Sequence, residues 1–275
     1  PTLRAAWPSR VQSMAEITAG GVRFHVQRLK GRDRTPQLGH PVVFIHGLCL
    51  DNLSSFYYTL ANPVAHAGAD VILYDQRGHG LSERPRTGYR VSDSVADLAA
   101  ILDALGVDGP VHLVGHSYGG TIALSFAVAY PERVASMLLI EAHVPVPGWA
   151  EPMAAAVGKV GLDLTEGGLG RWMAEHTRLA AIGTDLIKHT TLMADLLATE
   201  PPSAWKLRIL TCPVHAVYGE HSDVLGHAHL LDSLLPRYTL TVLPDLDHFV
   251  LARAPRVLRP IVLEWFATQT AVGVP

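Results

Sequence analysis

Five short, mostly apolar runs separated by longer stretches constrain the fold of this 275-residue chain most strongly. Each run has four or five residues without the apolar–polar alternation of a half-exposed strand, so it is typical of a strand buried on both faces of a parallel sheet. Ser92–Leu105 and Ser117–Tyr130 between them have helical spacing, and strands that alternate with helices predict a wound α/β sheet. The runs are Val42–Ile45, Val71–Tyr74, Val111–Val114, Met137–Ile140 and Val214–Tyr218.

The outer segments extend this pattern at both ends. Val22–Leu29 alternates apolar and polar residues, which predicts an antiparallel strand exposed on one face. Tyr238–Leu243 is predicted as the last strand and Ala254–Thr268 as the last helix. The sheet is therefore expected to be mostly parallel, with helices on its faces.

The domain boundaries follow from where the alternation pauses. Residues 142–208 contain several prolines, a glycine-rich turn and helical stretches rich in Met, Leu and Ala. A structureless loop of that length is uncommon, so this region is predicted to be a helical cap inserted into the core. The core is assigned to residues 14–141 and 209–275, and residues 1–13 are expected to form a flexible arm.

Charge and composition exclude several function classes. The formal net charge is −3, with no basic run, so neither nucleic acid nor an anionic membrane is expected as a partner. No segment approaches the roughly 18 apolar residues of a membrane span, and the first residues lack the apolar region of a secretory signal. The two cysteines do not make a disulfide framework, which favours a reducing, cytoplasmic location but leaves a single bridge open.

The segment Gly-His-Ser-Tyr-Gly at residues 115–119 lies between the third apolar run and the second helix. This is the context that a Gly-x-Ser-x-Gly nucleophile requires, because the strained strand-to-helix turn pushes the serine Oγ out of the sheet. The two glycines allow neighbouring backbone to approach closely, and the helix N-terminus favours developing negative charge. The motif predicts Ser117 as a nucleophile, with an ordinary glycine-rich turn as the alternative.

From about Val22 to Phe266 the chain resembles the α/β-hydrolase family. Besides the serine motif, the resemblance rests on His-Gly at residues 46–47, on Tyr-Asp-Gln-Arg-Gly-His-Gly-Leu-Ser at residues 74–82, and on Asp-Leu-Asp-His-Phe at residues 245–249. These landmarks follow one another in the family's order. The resemblance implies the α/β-hydrolase fold, a mostly parallel central sheet flanked by helices, here with a helical cap.

A serine hydroxyl needs an adjacent base, and the chain offers fifteen histidines. The resemblance implies His248, which lies in the loop between the last strand and the last helix, and the order nucleophile, acid, histidine fits it. For the acid, the resemblance implies a position after the strand that ends at Tyr218, where Asp223 is the predicted residue. Glu141 is the alternative, because it follows the strand after the nucleophile helix and some relatives place the acid there.

An oxyanion hole needs preorganised backbone N–H groups. One is expected from Tyr118, the residue after the nucleophile, and the other from Leu48 in the loop that follows residues 46–47. Cys49 beside this loop is interpreted as a small buried filler. His116 adjoins the nucleophile, but its side chain is expected to point away and to serve packing or polar support.

The substrate is expected to be a small molecule with an apolar acyl or aromatic part. The apolar residues of the insertion either line its pocket or seal the cap onto the sheet, since both tasks use the same residue types. The predicted pocket residues are Cys49, His116, Glu141, Trp149, Trp172, Met173 and Phe249.

The predicted function is hydrolysis of a carboxylic ester or thioester through an acyl-enzyme on Ser117. Carbon–carbon bond hydrolysis, acyl transfer and cofactor-free haloperoxidase-like activity use the same residues and stay open, as does a receptor-like role with weak turnover. No cofactor is expected. No metal is expected either, because His221, His227 and His229 lack acidic or cysteine companions at recognised intervals. A homo-oligomer stays open.

Overall fold

The structure is a computed structural model that describes residues 13–31, 38–160 and 177–270. Its strands are β1 (Ser13–Ala19), β2 (Val22–Leu29), β3 (Val42–Ile45), β4 (Val71–Tyr74), β5 (Val111–His116), β6 (Val134–Ile140), β7 (Val214–Gly219) and β8 (Tyr238–Leu243). They form one sheet in the order β1-β2-β4-β3-β5-β6-β7-β8. The strand β2 pairs antiparallel with both of its neighbours, and all pairs from β4 to β8 are parallel. The predicted mostly parallel sheet is confirmed.

Helices connect the parallel strands. Helix α3 begins after Arg90, whose backbone N–H donates to the Asp93 carboxylate at 2.9 Å and so satisfies one donor at the helix start. A π-helical segment, Tyr57–Ala61, joins α1 to α2, and a 3₁₀ turn at Pro131–Arg133 precedes β6. The described helices are α1 (Ser54–Phe56), α2 (Asn62–His66), α3 (Val91–Ala104), α4 (Tyr118–Ala129), α5 (Ala150–Val160), α6 (Thr177–His189), α7 (Leu192–Leu197), α8 (Ala204–Arg208), α9 (Leu225–Leu234), α10 (Val250–Arg253) and α11 (Pro255–Thr270).

The central strands are buried on both faces, as their continuous apolar runs predict. In β3, Val43 belongs to one hydrophobic cluster and Phe44 to the other, because successive side chains point to opposite faces of a sheet. Helices α3 and α4 pack into the first cluster, through Leu98 and Ile122 among others. Helix α11 packs into the second, through Val262. A hydrophobic core therefore packs against each face of the central strands.

The described parts of the proposed cap consist of α5 to α8 and their connections, and they are tied to the loop that follows β4. Asp195 accepts the backbone N–H of Tyr89 at 2.9 Å, and the N–H of Thr191 donates to the carbonyl of Arg86 at 2.9 Å. The boundaries of the cap stay a prediction. Of the predicted arm, Ser13 already belongs to β1, and residues 1–12 lie outside the described ranges. No helix within those ranges has the length and apolar character needed to cross a membrane.

Acidification is expected to weaken the fold through His112, which lies buried in β5 with Nδ1 2.8 Å from the Ser136 hydroxyl. Burial, then the charge of His40, lowers the pKa of His112 from 6.5 to about 4. Between these pH values the unfolded chain binds a proton that the folded chain does not. The stability that His112 contributes is therefore complete above about pH 6.5 and is lost as the pH falls towards 4.

The matching experiment is urea denaturation of the wild type and His112→Gln between pH 4 and pH 8. The slope of the unfolding free energy against pH should be smaller in the variant, by an amount that corresponds to the uptake of up to about one proton on unfolding. An unchanged slope would show that His112 titrates alike in the folded and unfolded chains.

Candidate active site

Ser117 occupies a strained turn between β5 and α4. Its φ is 53° and its ψ is −119°, a left-handed conformation that costs energy for any residue with a Cβ. Its N–H donates to the carbonyl of Ile140 at 2.9 Å, which anchors the turn to the end of the neighbouring strand β6. A Cβ on Gly115 would lie 2.5 Å from the Gly119 carbonyl oxygen, and one on Gly119 would collide with the carbonyl of Ile45. The motif glycines are thus required by close backbone approach, as the sequence predicts.

His248 lies beside this serine, in the loop between β8 and α10. Its Nε2 is 3.1 Å from the Ser117 Oγ, and its Nδ1 is 3.1 Å from Oε2 of Glu141. A carboxylate can only accept, so this arrangement places the imidazole proton on Nδ1 and leaves Nε2 free to accept the serine proton. Ser117, His248 and Glu141 form a continuous hydrogen-bonded chain.

Glu141 is held in this position from several sides. It follows β6 with a φ of 52°, and its side chain is fully buried. Its Oε1 accepts the N–H of Gly219 at 2.5 Å, and its Oε2 accepts the Ser222 hydroxyl in addition to His248. Buried carboxylates are tolerated when donors surround them in this way. The loop after β7 therefore supplies the donors that fix Glu141.

Asp223 does not occupy the place that the sequence predicts for it. The side chain beside His248 is Glu141, whereas Asp223 is exposed in the turn after β7. The reason is geometric. Because β6 and β7 are neighbours, Gly219 and Ser222 lie beside Glu141 and donate to its carboxylate.

The loop after β3 adjoins the nucleophile, as the position of residues 46–47 predicts. A Cβ on Gly47 would lie 3.6 Å from the Ser117 Cβ. Three backbone N–H groups of this loop already have acceptors. Gly47 donates to Asp51 at 2.7 Å, and Cys49 donates to Nε2 of His79 at 2.8 Å. Leu50 donates to the carbonyl of Leu48 at 2.7 Å. Among the described residues, none accepts from the Leu48 N–H. That group therefore remains available in the predicted oxyanion loop.

The Gly47–Leu48 peptide is oriented by His46. Nδ1 of His46 lies 2.7 Å from the carbonyl oxygen of Gly47, and its Nε2 accepts the N–H of Gln76 at 3.0 Å. Nδ1 must then carry the proton and donate to Gly47. Since C=O and N–H point in opposite directions in a trans peptide, this bond fixes the direction of the Leu48 N–H. The sequence identified the His-Gly pair but not this role.

His143 lies beside His248, and His227 in turn lies beside His143. The ring centroids of His143 and His248 are 5.6 Å apart, and those of His143 and His227 are 5.5 Å apart. Burial, then the charges of His248, His227 and His116, lowers the pKa of His143 to about 3. His227 accepts the N–H of Val144 on Nδ1 at 2.8 Å, and burial lowers its pKa as well. Both rings are therefore neutral at neutral pH.

The predicted pocket residues have different environments. Trp149 and Cys49 are buried in the core cluster, at 4% and 2% exposure. Burial raises the pKa of Cys49 to about 12, so its thiol is a protonated filler, and both cysteines of the chain are free. Phe249 is partly buried, with Arg253 over its ring and the His248 ring at 80° to its own. Trp172 and Met173 lie outside the described residues.

The histidines considered as metal ligands do not converge. His227 is engaged with the backbone as described above, and His221 is exposed. Within the described ranges, Glu220, His221 and Asp245 do place one ligand atom each within 4.8 Å of one another. All three are exposed, and exposed acidic groups often lie together without a metal ion. The prediction that no metal takes part stays a prediction.

Comparison with known proteins places this geometry in a family. Residues 40–168 match the family described as the alpha/beta hydrolase fold. A non-heme chloroperoxidase from Streptomyces lividans is 30% identical over an alignment of 268 residues that covers 84% of this chain and 93% of that protein. A 2-(acetamidomethylene)succinate hydrolase from Mesorhizobium japonicum is 30% identical over an alignment of 261 residues that covers 86% of this chain and 91% of that protein. The chain belongs to the α/β-hydrolase family.

Solved structures agree on the fold. A carboxylesterase structure from Nitrososphaera gargenis superposes with a TM-score of 0.73, covering 94% of this chain and 99% of that one. Its sequence is 22% identical, so the match bears on the fold alone. The sheet and its flanking helices are thus shared with that structure.

Proposed function

We propose that this chain is a serine hydrolase that cleaves a carboxylic ester or thioester through an acyl-enzyme on Ser117. The observation that carries the proposal is the hydrogen-bonded chain of Ser117, His248 and Glu141, with 3.1 Å at each histidine nitrogen. A nucleophile, a base within reach of it and a group that orients the base are the parts that nucleophilic catalysis needs.

The proposed first half-reaction is acylation. His248 takes the Ser117 proton on Nε2 while Oγ attacks the carbonyl carbon, and Glu141 stabilises the resulting imidazolium. The N–H groups of Leu48 and Tyr118 hold the tetrahedral oxyanion. The intermediate collapses, His248 returns its proton to the leaving alcohol or thiol, and the acyl group stays on Ser117.

Deacylation repeats these steps with water in place of the serine. His248 removes a proton from water, the hydroxide attacks the acyl carbonyl, and Ser117 Oγ leaves with that proton. The products are the free acid and the regenerated serine. The chemistry calls for no cofactor, and the 3.1 Å distance from Nε2 to the Ser117 Oγ supports His248 as the proton carrier.

The substrate proposed for this site has an apolar acyl or aromatic part, supported by the apolar composition of the cap. A second candidate activity on the same serine is haloperoxidase-like, supported by the 30% identity with the Streptomyces chloroperoxidase. Carbon–carbon hydrolysis, acyl transfer and a receptor-like role use the same residues and serve as outcomes of the test below. A cytoplasmic location likewise stays a prediction.

The test combines covalent labelling with a substrate panel. A fluorophosphonate should modify the wild type once, at Ser117, as located by mass spectrometry of the digested protein, and Ser117→Ala should not be labelled. The panel contains nitrophenyl esters, acyl thioesters, a vinylogous 1,5-diketone for carbon–carbon cleavage, and peroxide with halide.

Turnover of an ester or thioester at about 1–1000 per second, abolished in Ser117→Ala, would support the proposal. A single burst of product without further turnover would favour the receptor-like role instead. Labelling elsewhere in the wild type, or an ester hydrolysis that survives Ser117→Ala, would refute the acyl-enzyme on this serine.

A further inference from the structure

We propose that Asp51 is a positioning residue that sets the oxyanion loop against the nucleophile turn. The inference rests on the proposed function, since it concerns the hole that would hold the tetrahedral intermediate. Asp51 lies outside the hydrogen-bonded chain of Ser117, His248 and Glu141, and it would touch neither the base nor the substrate carbonyl. It would act through the two backbone segments that it joins.

The contacts of Asp51 join two segments, the loop after β3 and the end of β5. Its Oδ2 accepts the N–H of Gly47 at 2.7 Å and lies 3.2 Å from Nδ1 of His116, the residue before the nucleophile. Its Oδ1 accepts the N–H of Asn52 at 2.8 Å. One carboxylate oxygen thus bridges the loop after β3 and the end of β5, next to the nucleophile turn. This loop and this turn carry the N–H groups proposed for the oxyanion hole, those of Leu48 and Tyr118.

The Gly47–Leu48 peptide is therefore held at both ends of Gly47. His46 donates to the Gly47 carbonyl, and Asp51 accepts from the Gly47 N–H. With both groups of this glycine engaged, its two flanking peptide planes are fixed, including the plane that bears the Leu48 N–H. Oxyanion donors are effective because they are oriented before the charge develops, so this restraint bears directly on the transition state.

Asp51 is largely buried, and burial is unfavourable for a charged carboxylate, which argues that its charge has a role in the structure. The side chains of Asp51 and His116 are only 14% and 15% exposed. Burial opposes ionisation of Asp51, but the hydrogen bond from His116 and the electrostatic interactions with the His46 and His116 rings hold its pKa below the usual range. Asp51 therefore stays ionised and accepts at both oxygens over the whole working range of pH.

Asparagine cannot reproduce this pattern. Its amide offers one acceptor oxygen and one NH₂ donor, whereas Asp51 faces a backbone N–H at each carboxylate oxygen. In either orientation the NH₂ would oppose a backbone N–H, at Gly47 or at Asn52. Asp51→Asn keeps the side-chain volume and is thus the most selective probe. Asp51→Ala removes every contact.

The experiment measures kcat and KM for a nitrophenyl ester in the wild type, Asp51→Asn and Asp51→Ala, per active site titrated with fluorophosphonate. The matched control is Asp70→Asn, an aspartate that likewise accepts a glycine N–H, that of Gly31 at 3.0 Å, at the opposite end of the sheet. The affinity of a trifluoromethyl ketone, which mimics the tetrahedral intermediate, is measured alongside. Thermal denaturation reports the stability of each variant.

We expect kcat to fall by about tenfold or more in both Asp51 variants, with KM within about twofold of the wild type. The affinity for the trifluoromethyl ketone should fall by the same factor as kcat. Asp70→Asn should keep the wild-type kcat even if its stability drops. Should Asp51→Ala fail to fold, the isosteric Asp51→Asn carries the test.

An Asp51→Asn enzyme with wild-type kcat per titrated site would overturn the inference, and so would a rise in KM alone. A fall in kcat without a matching loss of trifluoromethyl ketone affinity would do the same. These outcomes differ from failure of the proposed function, in which the wild type itself would not be labelled at Ser117 and would not turn over the ester.

Discussion

Glu141→Gln is expected to lower kcat by roughly 10³- to 10⁴-fold, the loss typical of a triad acid replaced by its amide. Glu141 accepts from Gly219, Ser222 and His248, and it has no solvent access to replace these donors. A glutamine amide that keeps its oxygen towards Gly219 would turn its NH₂ towards Nδ1 of His248. The imidazole would then carry its proton on Nε2, where it cannot accept from Ser117.

The matched control is Asp223→Asn, which removes the carboxylate that the sequence favours over Glu141. Because Asp223 is exposed and the structure pairs His248 with Glu141, its kcat should stay within about threefold of the wild type. Steady-state kinetics on one ester, with circular dichroism to verify folding, compare the two variants. The opposite result, a large loss in Asp223→Asn and a small one in Glu141→Gln, would assign the acid to the loop after β7.

The sheet could be predicted closely because its signals are local. Runs buried on both faces have no polar positions, so Val42–Ile45 and Val71–Tyr74 were recognisable as strands and coincide with β3 and β4. Tyr238–Leu243 likewise coincides with β8. The helical segments before β4 were not predicted, because α1 and α2 are three and five residues long and are joined by a π-helical stretch. Such short pieces leave no helical period to detect.

The partner of His248 could not be decided from the sequence because two carboxylates follow neighbouring strands. Both Glu141 and Asp223 satisfy the order nucleophile, acid, histidine. The choice depends on a backbone φ of 52° at Glu141 and on donors from Gly219 and Ser222, which lie 78 and 81 residues away. No pattern within a short window of sequence encodes such a contact.

The contact of Asp51 with the predicted oxyanion loop was missed for the same reason. Asp51 meets His116 across 65 residues, and a single aspartate after an apolar stretch reads equally well as a solvated loop residue. The one available signal was its setting, an acidic residue directly after Leu48, Cys49 and Leu50 beside a predicted functional loop. The position of Asp51 close to the His-Gly pair, rather than its being an aspartate, was the signal in the sequence.

Ser117→Ala and His248→Ala are expected to have the largest effects, each reducing kcat by about 10⁶-fold for an activated ester. The two side chains act as one unit, because the serine is a weak nucleophile without Nε2 of His248 at 3.1 Å, and the histidine has nothing to activate without the serine. The double variant should therefore be no slower than either single one, far from the product of the two losses.

Single-turnover kinetics with enzyme in excess measure these low rates, and product must be shown to come from the variant rather than from contaminating wild type. A phosphonate added before the assay supplies that control, because it silences any remaining wild-type enzyme without touching Ser117→Ala. The activity left in all three variants should be equal and above the rate in buffer, since the N–H groups proposed at Leu48 and Tyr118 would still bind the developing oxyanion. Losses that multiply in the double variant would mean that Ser117 and His248 contribute independently, which the acyl-enzyme mechanism does not allow.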